Sequence, residues 1–236
     1  MNRIIVPDSG DRKLVYFLAV EEYLAQMLTE GFFLWSSEPT VIFGRNQDIE
    51  AEVNLDYCRR NSIDVFRRKS GGGCVYSDRG NLMLSCVVKD TNVQASFQRY
   101  LDSLVNALRR LGLPAVSSQH NDVLVGERKV SGNACFVCGG CSIIHGTLIL
   151  DIDFEKLQNS ITPPESKLLS HGVKSVRQRV ASLRELGLTA DESVIRQTII
   201  SEFCDSSSVL DDLAEAEIRR IEDEYLNPDF IYRGVL

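Results

Sequence analysis

Apolar positions recur at helical spacing between residues 11 and 29, where Leu14, Leu18, Tyr23 or Leu24 and Met27 predict an amphipathic helix that Gly31 would stop. Two apolar runs follow, Phe32-Phe33-Leu34-Trp35 and Thr40-Val41-Ile42-Phe43-Gly44, and Ser36-Ser37-Glu38-Pro39 between them reads as the turn of a hairpin. Residues 51–62 return to a helical pattern, and Asp64-Val65-Phe66 opens a strand that leads into Arg67-Arg68-Lys69-Ser70-Gly71-Gly72-Gly73. Leu82, Leu84, Cys86 and Val88 then alternate as a strand does. Asp78-Arg79-Gly80-Asn81 predicts a turn between strands, so a ligand at the glycines would lie across a β-hairpin.

Asn92 is placed to cap a long helix whose buried stripe is Leu101, Leu104, Val105, Leu108 and Leu111, ended by Gly112 and Pro114. Asp122 to Val130 reads as strand, turn and strand. Phe136-Val137 and Ser142-Ile143-Ile144 flank Gly139-Gly140, a favoured two-residue hairpin loop, and a strand from Thr147 to Leu150 follows. Beyond residue 154 the pattern is helical: around Phe154–Leu157, Val176–Leu186, Asp191–Phe203 and Val209–Leu226. In the last of these Leu210, Leu213, Ile218, Ile221 and Tyr225 share a face expected to pack on the domain body. Interleaved helices and antiparallel hairpins predict an α+β fold, a central mixed sheet flanked by helices, in one domain over residues 1–236.

Composition narrows the function. A net charge of −7 argues against general nucleic-acid binding, which needs a broad basic surface, so the cations at 67–69 stand out as local. No stretch reaches the length of a membrane span, and the first residues are too short an apolar run for a signal peptide. Seven cysteines, an odd number scattered through regular elements, do not form a secreted disulfide framework, so reduced thiols and a cytoplasmic location are expected. Main-chain N–H groups at Gly71, Gly72 and Gly73 could approach a phosphate where a β-carbon would collide, although such a run alone is more often a plain flexible loop. Arg45-Asn46-Gln47 could converge on the same ligand.

Taken in order, Arg67 to Asn81, Asn121-Asp122-Val123, Arg128-Lys129-Val130-Ser131-Gly132-Asn133-Ala134 and His145-Gly146-Thr147-Leu148 resemble the successive signatures of the lipoate-protein ligase A family, within the biotin/lipoate ligase superfamily. Leu34-Trp35 with Pro39-Thr40-Val41, Gly44-Arg45-Asn46-Gln47 and Lys174-Ser175-Val176-Arg177 support the likeness, which covers nearly the whole chain. It implies an ATP- and Mg²⁺-dependent acyl transfer. The carboxylate of lipoate, or of octanoate, attacks the α-phosphate of ATP, and a lysine on an acceptor then displaces AMP. The acceptors implied are lipoyl domains of 2-oxoacid dehydrogenase complexes or the glycine cleavage H protein.

By the same resemblance Lys129 sits beside the α-phosphate and acyl carbonyl, offsetting the charge that builds there. Arg68 and the glycine main chain would hold adenylate and carbonyl oxygens; Asn121 and Asp122 would serve the nucleotide, with Asp122 toward Mg²⁺. Trp35 and apolar walls would receive the dithiolane chain. Ser70, Val75, Tyr76, Ser77, Asn81, His145 and Thr147 complete the expected substrate- and adenylate-binding set. The plainer readings are a solvated Lys129 beside a turn, a structural His145, and Asn121-Asp122 as a turn.

Two positions depart from the family: Ser77 replaces a usual histidine, and Cys74 a usual small residue. The accessory domain of two-domain ligases is not present in these residues; in some relatives it is a separate polypeptide needed for adenylation. The alternative activity is an ATP-independent octanoyl or lipoyl transferase using a cysteine acyl-enzyme, with Cys135 first, then Cys138 and Cys141, as nucleophile. A third alternative is a non-catalytic acyl-binding protein, against which Ser70 to Gly73 and Lys129 are intact. Cys135-x₂-Cys138-x₂-Cys141-x₃-His145 has metal-like spacing, but a tight Gly139-Gly140 turn would set Cys138 opposite Cys141 and leave Cys135 further along, a poor tetrahedral set.

Overall fold

The computed structural model describes residues 1–7, 12–119, 121–163, 176–211 and 214–235. In chain order its elements are β1 (Asn2–Ile5), α1 (Leu14–Gln26), β2 (Gly31–Trp35), β3 (Thr40–Phe43), α2 (Ile49–Glu52), α3 (Leu55–Arg60), β4 (Asp64–Arg67), β5 (Val75–Ser77) and β6 (Asn81–Val88). Then come α4 (Val93–Arg110), β7 (Ala115–Ser117), β8 (Asp122–Val125), β9 (Arg128–Cys138), β10 (Cys141–Ile149), α5 (Phe154–Ser160) and α6 (Val176–Arg179). The chain closes with α7 (Glu192–Phe203), β11 (Ser206–Val209), α8 (Glu215–Leu226) and α9 (Pro228–Arg233). None of the described helices is long and apolar enough to cross a membrane.

An eight-stranded mixed sheet, ordered β11-β1-β2-β6-β10-β9-β8-β7, carries the fold, and a small sheet β4-β3-β5 stands against it. This is the predicted α+β class. The central strands β6 and β10 are buried along their whole length because both faces are covered. On one face Leu82, Leu84, Cys86, Val88, Ile144 and Leu148 pack with α4 and α7. On the other Met83, Val87, Cys141 and Ile143 pack with α1 and α8. A third cluster, with Val41, Phe43, Tyr76, Ile149, Leu157 and Val180, fills the space behind the small sheet.

Several local expectations are corrected. The helix expected at 11–29 is α1 alone, and ten of its thirteen residues are buried rather than one stripe, because α8 covers the side turned away from the sheet. It ends at Met27, with Leu28 itself in the left-handed region at φ 49°, and Gly31 begins β2. The strands around Ser36–Pro39 form no hairpin: β2 pairs with β6 and β1, and β3 with β4 and β5. Likewise Asp78–Asn81 is a crossover between the sheets, since β5 pairs with β3 while β6 pairs with β2 and β10. A β-carbon at Gly80 would lie 1.7 Å from the Asp151 carbonyl oxygen, so this crossover passes directly under the residues after β10.

Residues 51–62 divide between α2 and α3, each capped by a side chain, Asp48 and Asn54. The strand from Thr147 is the end of a continuous β10. The helix expected at 176–186 stops at Arg179, after which Val180 bridges to Lys129. The long helix expected at 209–226 is instead β11 followed by α8, and α9 was not anticipated. Asn92 does cap α4, accepting from the Ala95 N–H, and Gly139 and Gly140 at φ 57° and 82° make the expected tight turn. Leu213 and the pair Lys174-Ser175 lie outside the described residues.

Candidate active site

A cavity of about 390 Å³ opens between the two sheets, a size suited to a small-molecule ligand. One apolar set in its lining, Leu14, Leu18, Trp35, Ile42, Val75 and Met83, belongs to the α1-side cluster. A second apolar set in the lining, Tyr76, Ile149, Ile152, Leu157, Ile161 and Val180, belongs to the third cluster, and Asn81 lines the same cavity. The Asn81 Nδ2 is buried and makes no hydrogen bond. Polar groups gather in the lining as well: Arg68, Gly72, Gly73, Asn121, Asp122, Lys129, Asn133, His145 and Arg179.

The run Arg67-Arg68-Lys69 sends three cations to three places. Arg67 donates to the carbonyls of Phe230 and Ile231 in α9 (2.9 and 3.0 Å) and of Arg45 and Gln47 (2.7 and 2.9 Å). Arg68 turns back on the triglycine loop, donating to the carbonyls of Gly71 (2.8 Å), Gly73 (2.7 Å) and Ile42 (3.2 Å) and to the Ser70 hydroxyl (3.1 Å). Burial brings its pKa down to about 10. Lys69 donates to Glu22 (2.8 Å) of α1 and Glu224 (2.7 Å) of α8.

Within the loop, Gly72 has φ +95°, which disfavours any side chain, whereas a β-carbon at Gly71 would meet nothing within 4 Å. The close approach is made from the other side: a β-carbon at Gly44 would fall 2.3 Å from the Gly72 carbonyl oxygen. Arg45 and Asn46 are exposed and do not line the cavity; Gln47 accepts from the Gly44 N–H at 2.8 Å and so braces this approach.

Lys129 reaches the cavity from β9 through an irregularity. The β8–β9 register steps from Val123↔Ser131 to Leu124↔Lys129, leaving Val130 as an extra residue in the core. The bulge brings Lys129 onto the face of Gly132 and Asp122. Its ammonium pairs with Asp122 Oδ1 at 2.8 Å, and Arg179 takes Oδ2 at 2.7 Å. Through the cavity 22% of the Lys129 side chain stays accessible, yet the protein around the amine lowers its pKa below that of an ordinary lysine. Burial is the largest cause; Asp122 opposes it, while Arg179 and Arg68 add to it.

His145 on β10 belongs to a buried chain of polar groups. Its Nε2 lies 2.7 Å from the Ser70 hydroxyl and its Nδ1 2.8 Å from Glu21 Oε2 of α1. The other Glu21 oxygen accepts from the Ser85 hydroxyl, which accepts from the Trp35 indole N–H at 2.9 Å. Trp35 also stacks on Phe17, with centroids 4.5 Å apart.

Of the residues expected from sequence, Lys129, Arg68, Gly72, Gly73, Val75, Tyr76, Asn81, Asn121, Asp122, Trp35, His145 and Thr147 line this one cavity. Ser70, Gly71 and Ser77 do not. Ser70 is fully buried behind the loop, and Ser77 lies beneath the lining, between the Ser37 hydroxyl (3.1 Å) and the Met83 sulfur (3.4 Å). Asp122 as placed is a poor Mg²⁺ ligand, because both its oxygens already accept from cations. No group of three or more metal-ligating side chains occurs among the described residues. Cys135, Cys138 and Cys141 do not line the cavity, and burial pushes the Cys135 thiol up to about 11.

Three residues at the site escaped the sequence reading: Glu21, Arg179 and, as a lining residue, Asn133, whose Oδ1 accepts from the Tyr100 hydroxyl at 3.0 Å. Glu21-Glu22 inside the apolar run of α1 was a legible sign that charges are buried there for a purpose.

Comparison with known proteins identifies the family and the fold. A family model described as the lipoyl protein ligase A/B catalytic domain matches residues 14–204. Lipoate–protein ligase 1 of Staphylococcus aureus is 40% identical over 194 residues, 78% of this chain and 59% of that protein. The chain spans between about half and three-fifths of the length of two curated relatives it matches. Among solved structures, a bi-partite lipoate protein ligase from Thermoplasma acidophilum, studied with its E2 lipoyl domain, superposes with a TM-score of 0.87 at 26% identity, covering 100% of this chain and 97% of that one. A lipoate-protein ligase A bound with ATP gives 0.82 at 25% identity, covering 97% of each chain. The chain belongs to the lipoyl protein ligase A/B catalytic-domain family.

Proposed function

We propose that this domain activates a lipoyl-type carboxylic acid with ATP and transfers the acyl group to a lysine of a lipoyl domain. One observation carries the reading: an ammonium held by Asp122 lies in the wall of the same cavity as the triglycine loop, and the apolar lining of that cavity comes from two separate packing clusters. The wall of Leu14, Leu18, Trp35 and Met83 suits an acyl chain and its dithiolane ring. The wall of Tyr76, Ile149 and Val180 suits a flat base, and the unpaired Asn81 Nδ2 offers it a hydrogen bond.

Between these walls the acid's carboxylate attacks the α-phosphate, and pyrophosphate leaves. The mixed anhydride that forms has a good leaving group, which the carboxylate lacked. Lys129 offsets negative charge building on the phosphate and later on the acyl carbonyl, with Asp122 and Arg179 fixing its place. Arg68 acts through the loop it holds. The acceptor lysine then attacks as the free amine and AMP departs. Mg²⁺ would arrive on the phosphates of ATP, since both Asp122 oxygens are already taken by Lys129 and Arg179.

Acceptors of the E2 lipoyl-domain type fit the T. acidophilum neighbour, and the H protein belongs to the same chemical class of acceptor. The test mixes the protein with lipoate or octanoate, Mg²⁺ and an apo lipoyl domain, with and without ATP, and with and without a separate accessory chain. Acyl-adenylate and a mass increase on the acceptor lysine that require ATP are expected. Modification from an octanoyl thioester without ATP would replace this reading by the transferase.

A further inference from the structure

Ser70, His145 and Glu21 have the spacing of a hydroxyl–imidazole–carboxylate triad, yet Ser70 cannot act as a nucleophile. It is fully buried, lies outside the cavity lining, and its oxygen already accepts from Arg68 Nε at 3.1 Å. The value of the arrangement lies in the direction of its hydrogen bonds. Arginine can only donate, so the arrangement in which the Ser70 hydroxyl proton also finds an acceptor sends it to a bare His145 Nε2. The ring proton sits on Nδ1 and is donated to Glu21. Ser85 donates to the other Glu21 oxygen, having accepted from Trp35. Two chains of donors therefore end on one buried carboxylate, one starting at the triglycine clamp and the other at the acyl-side wall.

We propose that Glu21 is a positioning residue for the activation step: by keeping the His145 proton on Nδ1 it lets Ser70 and Arg68 hold the triglycine loop in its cavity-facing shape. With the proton on Nε2 instead, the Ser70 oxygen would accept from two donors while its own buried proton lost its acceptor, which would weaken the contact that sets the angle of Arg68 to the carbonyls of Gly71 and Gly73. The kinetic part of this inference rests on the ligase reading; the tautomer does not.

The experiment is ¹⁵N-histidine NMR on the whole protein, which has three histidines, with the His145 signal identified by His145→Gln. In the wild type His145 should show a protonated Nδ1 and a bare Nε2. Glu21→Gln replaces two acceptors by one, which Ser85 and His145 must share, so the proton should move to Nε2 or exchange between the two sites. The KM for ATP in adenylate formation should rise about tenfold, the worth of one hydrogen bond to a charged group, with a smaller change in kcat. Emission from Trp35, the single tryptophan, should shift in the same variant. A wild-type proton on Nε2, or Glu21→Gln with the wild-type tautomer and KM, overturns the proposal. Should Glu21→Gln not fold, Ser70→Ala decides: the tautomer should persist while KM rises, and an unchanged KM overturns it. A wild type that makes no adenylate sinks the ligase reading, and the tautomer measurement, which needs no substrate, still decides for or against the relay.

Discussion

The amine of Lys129 occupies the space that a side chain on Gly132 would need: a β-carbon at 132 would lie 2.5 Å from Nζ and 2.7 Å from Cε. Three residues apart on a regular strand, the two would face opposite ways; the bulge at Val130 places them on one face. The atoms in the way are the far end of a flexible chain, so Gly132→Ala should fold and displace only the amine. Adenylate formation is expected to fall roughly 100-fold, as when one charge-stabilising donor is lost, while the melting temperature moves little. Calorimetry beside an adenylation assay checks both, and an active Gly132→Ala protein would remove Lys129 from the mechanism.

Burial depresses the Lys129 pKa, so its ammonium is present below that lowered value and lost as pH rises through it. The alkaline limb of activity should therefore fall below the 10.5 of an ordinary lysine. Asp122 holds the pKa up, so Asp122→Asn should move the limb to lower pH, whereas Lys129→Arg, which stays charged, should remove it at reduced rate. Over the same interval the unfolded chain binds more protons at this site, so its contribution to stability grows with pH. Activity loss from deprotonation thus runs opposite to this stability term, and a pH–rate profile beside melting curves separates them.

Much of this arrangement was readable in advance where one residue type answers to one local demand. Asn92 before an apolar stripe gave the α4 cap, and Gly139-Gly140 gave a hairpin because that turn needs two positive φ values. Most of the motif residues converged on one cavity, with Ser70, Gly71 and Ser77 outside its lining. Pairing was not readable: Phe32–Trp35 and Thr40–Phe43 join different sheets, and nothing local tells a strand which partner it will find. The cations at 67–69 were marked as purposeful, but the targets of Arg67 and Lys69, α9 and two glutamates, are far away in sequence, and Arg68 turns back on the carbonyls of its own loop. Arg179 was missed for the same reason, since only folding brings it beside Asp122.

Cysteine chemistry can be tested directly. Cys135 lies outside the cavity with its thiol pushed up to about 11, which leaves little thiolate at neutral pH. Cys135→Ala should keep ATP-dependent transfer within about twofold of wild type, because the packing lost is small. Loss of transfer in a folded Cys135→Ala protein, measured by acceptor mass, would revive the acyl-enzyme route.

Arg67 is the joint between the loop system and the end of the chain. Its side chain is 4% exposed, stacks over Phe43 at 4.5 Å and donates to carbonyls of α9 and of the 45–47 turn. Arg67→Ala would leave several of those carbonyls without a donor in a space water enters poorly, each costing about 1–3 kcal/mol. A net loss of about 3 kcal/mol is expected, read as a lower urea midpoint at unchanged slope. Arg67→Lys keeps the charge but has a single donor centre that cannot span α9 and the turn at once, so it should recover only part of the loss. Because Arg67 adjoins Arg68 on the strand that delivers the triglycine loop, loosening α9 should also weaken ATP binding. Full stability in Arg67→Ala would mean that α9 is held by Phe230 and Tyr225 packing alone.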